Sequence, residues 1–327
     1  MKAWRVHELG EPAAVLRLED VDRPEPGPSQ VLVRVAGAAA NFPDVLMCRG
    51  GYQVRPPLPF TPGVELCGEV VAVGADVAGI AIGERVLGGA VLPHGGFAEF
   101  AVLDAAQTFP APPSLDDAEA ASLFIGYQTG WFGLHRRAGL KAGETLLVHA
   151  AAGGVGSAAI QLGKAAGARV IGVVGGAEKA SYAGDLGADV VIDRQQRDFV
   201  EVVKDVTGGR GADVIYDPVG GEVYQRSTKC IAFEGRIVVV GFAGGEIQTA
   251  AMNHALVKNY SIVGLHWGLY NTQDPGAVAE CHRELTALAA DGAIRPLVSE
   301  GLGLADVADA VQRLADGKTV GRVVYTP

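Results

Sequence analysis

Between residues 145 and 242 the chain alternates short apolar runs with helix-patterned segments at nearly regular intervals. "TLLVHA", "RVIGVVG", "ADVVID", "ADVIYDPV" and "GRIVVVGF" are β-branched runs of strand length. Between them lie "GSAAIQLGKAAG", "AEKASYAGDLG", "RDFVEVVKDVTG" and "VYQRSTKCI", which carry helical spacing. Parallel strands need a crossover connection, usually a helix, and strands covered on both faces are apolar throughout. Strands alternating with helices of about ten residues therefore specify an α/β fold with a doubly wound parallel sheet.

The first third has a different texture. "QVLVRVAGAAA", "GEVVAVGADV", "GERVLGG" and "GGFAEFAVLD" are β-branched runs separated by Pro-rich connections such as "RPEPGPS" and "VRPPLPFTPG", so this part is expected to be a separate, mostly β module. The tail adds a strand "SIVGLHW", a long helix at 276–292, a further helix and a last strand "GRVVYTP".

At 149–157 the stretch "HAAAGGVGS" joins a strand to a helix that is followed by a second strand. That frame turns a glycine pattern into evidence for a dinucleotide. Set on G-x-G-x-x-G, the positions fall on Ala151, Gly153 and Gly156. Gly153 lets the backbone approach a pyrophosphate, Gly156 lets helix and strand pack, and Ala152, Gly154 and Val155 complete a loop whose helix N-terminus faces the charge. An acid at the end of the second strand would take the ribose hydroxyls of NAD, but the residues there are Gly175 and Gly176, followed by Ala177, Glu178 and Lys179. The two glycines make room for a 2′-phosphate and Lys179 offers it charge, with Arg194 in "VVIDRQQ" as a second cation, so NADPH is favoured. Glu178 and Asp193 count against that choice.

A net charge of −10 argues against a nucleic acid or an anionic membrane as partner. Cys48, Cys67, Cys230 and Cys281 form no C-x-x-C pair, which fits a reducing compartment, and "MKAWRVHE" has no apolar export segment, so a cytoplasmic location is expected.

The stretches "AANFPDVLMCRGGY", "PFTPGVELCGEVVAVG", "GGFAEFAVL", "HAAAGGVGSAAIQLGKAAGARVI" and "GKTVGRVVY" occur in that order along the whole chain. Together they resemble the zinc-free quinone oxidoreductase family of the medium-chain dehydrogenase/reductase superfamily. The resemblance implies a GroES-like β domain at 1–123, a Rossmann NADP-binding domain at 124–262, and a C-terminal segment at 263–327 returning to the first domain. In zinc-dependent relatives the position of Asn41 is a cysteine ligand, and a Gly-His-Glu triplet stands where this chain has Gly63, Val64 and Glu65. With both ligands replaced, no metal is expected.

The resemblance also implies an NADPH-dependent reductase passing hydride to a small-molecule quinone. A reductase of enone, enal or enoyl-thioester double bonds uses the same kind of site, and a noncatalytic NADPH-binding protein is the third reading. A quinone accepts negative charge by conjugation and so tolerates the loss of a Lewis acid. Two donors are candidates for polarising the acceptor: the Asn41 amide, which can serve either a carbonyl oxygen or the nicotinamide, and the Tyr52 hydroxyl. The alternatives are an Asx-turn for Asn41 and a packing role for Tyr52; Asp44 is expected to hold the loop. By resemblance Thr129 lies at the nicotinamide end, Gly241 and Phe242 lie along the cofactor, and Lys318 and Arg322 reach it from the C-terminal segment. Trp267 and Tyr270 are candidates to stack a flat acceptor or, alternatively, core residues. A homodimer is expected, with "GRIVVVGF" as the edge strand that pairs across a two-fold axis.

Overall fold

The computed structural model describes residues 1–326 and divides into two compact units, one built from residues 1–125 and from Arg295 onward, the other from Gly126–Ile294. In the first unit β1 (Lys2–Val6) and β2 (Leu16–Asp20) form an antiparallel pair. Beside them, β3 (Gln30–Ala39), β4 (Glu65–Val73), β5 (Arg85–Ala90) and β6 (Phe100–Pro110) run antiparallel in sequence order. β6 returns to pair with β3, so the four close on themselves around Val31, Val33, Leu66 and Phe97. Closure removes the free edges a small antiparallel sheet would otherwise expose.

The second unit carries β7 (Thr145–Val148), β8 (Arg169–Val174), β9 (Val190–Asp193), β10 (Ala212–Asp217), β11 (Ile231–Val239) and β12 (Ser261–Gly264), all parallel, in the order β12-β11-β10-β7-β8-β9. All four residues of β7 are buried, as a central strand covered on both faces requires. The order reverses between β7 and β10, and in such sheets the carboxyl ends at the reversal form the binding crevice.

"GRIVVVGF" is not an edge strand. It forms part of β11, which lies between β10 and β12, and the edge belongs to β12. The chain also leaves the second unit later than expected: residues 263–294 remain with it, because β12 pairs in its sheet and Glu284 on the helix Pro275–Ala290 accepts the Trp131 indole N–H at 2.7 Å. Only from Arg295 does the chain join the first unit, where β13 (Val298–Leu302) and β14 (Arg322–Tyr325) extend the sheet through antiparallel pairing of Val324 and Tyr325 with Ala39 and Ala38. Among the described residues no helix is long and apolar enough to cross a membrane.

Candidate active site

In the second unit β7 delivers the chain to His149, whose backbone N–H donates to Tyr216 O on β10 at 3.1 Å. The chain turns through Ala150, which holds a left-handed φ of 49° despite its Cβ, and Gly153 N–H closes the turn on Ala150 O at 2.8 Å. A Cβ on Gly156 would lie 2.2 Å from that oxygen, so only glycine lets the helix Gly154–Ala165 start this close to the strand. At Gly153 the same test gives 3.2 Å, a much milder obstacle. Gly153 caps the helix without a side-chain bond, and the first helical bond runs from Ser157 N–H to Gly153 O. The N–H groups of Gly154, Val155 and Gly156 precede it and face out of the positive helix end, an arrangement suited to a pyrophosphate. Ala151 and Ala152 are buried, so a ligand would meet them through their backbone.

At the end of β8 the Arg194 guanidinium lies over Gly175: an added Cβ there would meet its Nε at 3.2 Å and a terminal nitrogen at 3.3 Å. Asp193, counted against a phosphate in the sequence, is turned into the backbone, where Oδ1 accepts the N–H groups of Gly176 at 2.9 Å and Gln195 at 3.0 Å. Those bonds hold its carboxyl below the usual range. Lys179 stands half-buried in the first turn of the helix Ala177–Asp185 that begins after Gly176.

The helix Phe124–Trp131 packs on the helix behind the glycine loop, with Gln161 Nε2 donating to Tyr127 Oη at 2.8 Å. Thr129 on it is buried. Its neighbour Gln128, which the sequence did not single out, is wholly buried; its Oε1 accepts the Trp267 indole N–H at 3.1 Å, while its Nε2 has no partner. Tyr270 is committed to packing, its ring centroid 4.1 Å from that of Phe132 and 5.8 Å from the Arg136 guanidinium. Phe242 leans on the loop after β10, where a Cβ on Gly220 would stand 2.9 Å from its ring, and a Cβ on Gly241 would lie 3.4 Å from Pro218 O. Asp217, at the strand reversal, binds the N–H groups of Val219 and Gly220 with Oδ1 and leaves buried Oδ2 unpartnered. Burial pushes its carboxyl up. The "DPVGG" turn signal was legible for Asp217; nothing in the pattern marked Gln128.

The first unit holds a buried polar cluster. The Asn41 amide donates to Ala39 O at 3.0 Å and to Glu65 Oε2 at 2.9 Å, and its Oδ1 accepts from Arg322 at 2.9 Å. Arg322 also bonds Glu65 Oε2, and Glu65 Oε1 accepts the Ile125 N–H at 2.7 Å. Asp44 accepts from the N–H groups of Asn41, Gly63 and Val64. Burial raises the Asp44 carboxyl to about 6 against those hydrogen bonds and the Arg322 charge, and burial likewise pushes Glu65 up against Arg322 and Asn41. Both amide hydrogens of Asn41 are therefore spent inside the protein, and in this arrangement it has none for a carbonyl or a nicotinamide. Arg322, expected at the cofactor, is a buried clamp on Asn41 and Glu65. Lys318 is exposed and paired with Asp316. Tyr52 is half-buried against the apolar core, and burial raises its hydroxyl pKa, which keeps it a proton-bearing donor at neutral pH.

Two family models match the chain: an alcohol dehydrogenase GroES-like domain at residues 27–113 and a zinc-binding dehydrogenase at 154–283. It is 41% identical to a quinone oxidoreductase-like protein 2 homolog from Nematostella vectensis, over 99% of this chain and 88% of that protein. The chain belongs to the zinc-free quinone oxidoreductase family of the medium-chain dehydrogenase/reductase superfamily. It is an oxidoreductase with a GroES-like N-terminal domain and a Rossmann-like parallel sheet. Among solved structures, an Escherichia coli quinone oxidoreductase complexed with NADPH superposes with a TM-score of 0.92 at 30% identity, all of both chains covered. The CurK enoyl reductase follows at 0.88 and 26%, over 99% of this chain and 98% of that one.

In this quinone oxidoreductase-family chain the residues at the replaced ligand positions are integrated into the fold. Asn41 is fully hydrogen-bonded and Val64 presents its backbone N–H to Asp44. Among the described residues no group of three or more His, Cys, Asp or Glu is arranged to hold a metal.

Proposed function

We propose that this family member is an NADPH-dependent, zinc-independent reductase that passes hydride to quinones. The observation that carries the reading is the Arg194 guanidinium over Gly175, with no acid at the end of β8 and Lys179 one helical turn on. A 2′-phosphate is met there by two cations, while the nearby Asp193 carboxylate is engaged by the Gly176 and Gln195 N–H groups. The relative solved with NADPH supports the same cofactor.

Bound at this site, NADPH supplies the hydride. The chain's own residues do the rest. Gly154, Val155 and Gly156 hold the pyrophosphate by N–H groups, with Ala152 and Gly153 in close backbone approach. Arg194 and Lys179 fix the adenosine end, and Thr129, Gly241 and Phe242 flank the path toward the nicotinamide. Tyr52 presents a hydroxyl that stays protonated at neutral pH and can donate to an acceptor oxygen. Trp267, half-buried, offers an indole face to a flat acceptor. A double-bond reductase is the second reading, favoured by the likeness to the CurK enoyl reductase.

NADPH oxidation with 9,10-phenanthrenequinone, 1,2-naphthoquinone and a panel of enones tests these readings. Turnover of quinones well above enones supports the first; the reverse order supports the second. NADPH binding without turnover of any acceptor overturns both.

The protein is further read as a cytoplasmic homodimer. All four cysteines are free and buried, which suits a reducing compartment. β12 pairs only with β11, and the nearby Met252, Leu256 and Val257 are 68%, 76% and 75% exposed, an apolar surface beside an open strand edge that a second copy would cover. Light scattering showing a monomer at micromolar concentration would overturn the dimer.

A further inference from the structure

Among the described residues of the second unit, Gln128 Nε2 and the Tyr216 and Tyr224 hydroxyls are buried donors without a hydrogen-bond partner, and of these the Gln128 amide is the one turned by a bond to its own oxygen. An indole N–H is donor only, so the Trp267 bond must fall on the amide oxygen and turns Nε2 the other way. Gln128 is wholly buried, and a buried N–H pair without a partner costs about 1–3 kcal/mol. Such a group is retained without penalty only where an acceptor oxygen comes to meet it.

Its place in the fold favours a ligand as the source of that oxygen. Tyr127, one residue before it, bonds the helix that begins at the glycine loop; Thr129 follows it; and Trp267 lies three residues past the carboxyl end of β12. The partner of Gln128, Trp267, thus belongs to the segment that leaves the carboxyl end of β12, the end of a parallel sheet at which such folds bind ligands. The covering segment is thin: Gly264, His266 and Leu269 are exposed, Trp267 itself is half-buried on a three-residue 3-10 turn, and nothing lies within 4 Å of where a Gly264 Cβ would stand.

We infer that Gln128 donates through Nε2 to the carbonyl oxygen of the electron acceptor, with Trp267 as the residue that orients it. The inference rests on the reductase reading and supplies the amide donor that Asn41, with both hydrogens engaged, does not provide. It makes Gln128 a specificity determinant for carbonyl-bearing acceptors.

The test compares Gln128→Leu, Gln128→Glu and Trp267→Phe in steady-state kinetics with 1,2-naphthoquinone, alongside NADPH binding by calorimetry. Gln128→Glu keeps the oxygen facing Trp267 and loses the amide donor. Both Gln128 variants are expected to raise KM for the quinone about tenfold, equivalent to about 1.4 kcal/mol, with the NADPH Kd unchanged. Trp267→Phe, which keeps an aromatic face and loses only the N–H, is expected to raise it less. Unchanged KM in a folded Gln128→Leu protein, with only its melting temperature moved, would overturn the inference and leave the reductase reading intact. A wild-type protein that neither binds NADPH nor reduces the quinone defeats that reading and the inference with it.

Discussion

Arg322 reaches Asn41 across 281 positions of sequence, donating to its Oδ1 at 2.9 Å while its other terminal nitrogen bonds Glu65. The pair of charges is almost wholly enclosed, the side chains of Arg322 and Glu65 being 5% and 0% exposed. Removing one member strands the other, so Arg322→Met is expected to destabilise the fold by about 3–5 kcal/mol. Pairing it with Glu65→Gln should recover much of that loss. Denaturant unfolding of both singles and the double gives the coupling; additive singles would show that the ion pair is not what holds the cluster.

Gly153 and Gly156 should fail differently when each is changed to alanine. The Gly156 methyl collides with backbone at 2.2 Å, so that variant is expected to lose several kcal/mol of stability along with nucleotide binding. The Gly153 methyl meets the same oxygen at 3.2 Å, so its variant should fold and bind NADPH about tenfold or more weakly. Melting temperature and calorimetry separate the two outcomes.

For cofactor choice, Arg194→Ala is expected to lower the preference for NADPH over NADH by about one to two orders of magnitude, as loss of one or two charge-assisted hydrogen bonds implies. The ratio of the two dissociation constants decides it, and an unaltered ratio removes Arg194 from the site.

His149 sets an acid limit on stability. Its Nε2 contacts Ser227 Oγ at 2.8 Å, and since Ser227 already donates to Val223 O, the proton of the neutral ring sits on Nε2. Burial, then the nearby Arg226 charge, lowers the ring pKa from 6.5 to about 3. The unfolded chain takes up a proton that the folded chain refuses, so the contribution is complete above 6.5 and lost as pH falls toward 3, with a limiting slope of about 1.4 kcal/mol per unit. Unfolding free energies of wild type and His149→Gln between pH 4 and 7 should converge toward the acid end.

Asp44 works in the opposite sense. Its carboxyl is raised from 3.8 to about 6, so the folded state holds the proton more tightly; that contribution is complete below 3.8 and is lost as pH rises through 6. Asp44→Asn would set an N–H₂ against either the Asn41 N–H or the Gly63 and Val64 N–H groups, costing about 1–3 kcal/mol at pH 7. A variant as stable as wild type at pH 7 would sink this account of the loop.

What could be read in advance was local. Strand-helix alternation and the 149–157 loop were legible because periodicity and glycine placement are properties of contiguous residues. The place of β11 inside the sheet was not, because strand order is set by crossovers that leave no mark in the strands themselves. Asn41 could be named as the replacement for a metal ligand, but its loss of free hydrogens depends on Glu65, and the clamp on its oxygen on Arg322, residues that no spacing connects to it. Gln128 was missed for the same reason: its meaning comes from Trp267, 139 residues later.

The strand pairing that brings β14 to β3 also orders events during synthesis. When Asn41 and Glu65 have been translated, the guanidinium that compensates them is more than 250 residues from being made, and the second unit must be threaded through before it arrives. The Rossmann-like unit, whose pairings lie within 126–294, can complete its sheet while the first unit still carries an uncompensated buried carboxylate. Translation that halts between Ile294 and Arg322 leaves a nascent chain whose Rossmann-like half can form while its GroES-like half lacks the charge that compensates Glu65.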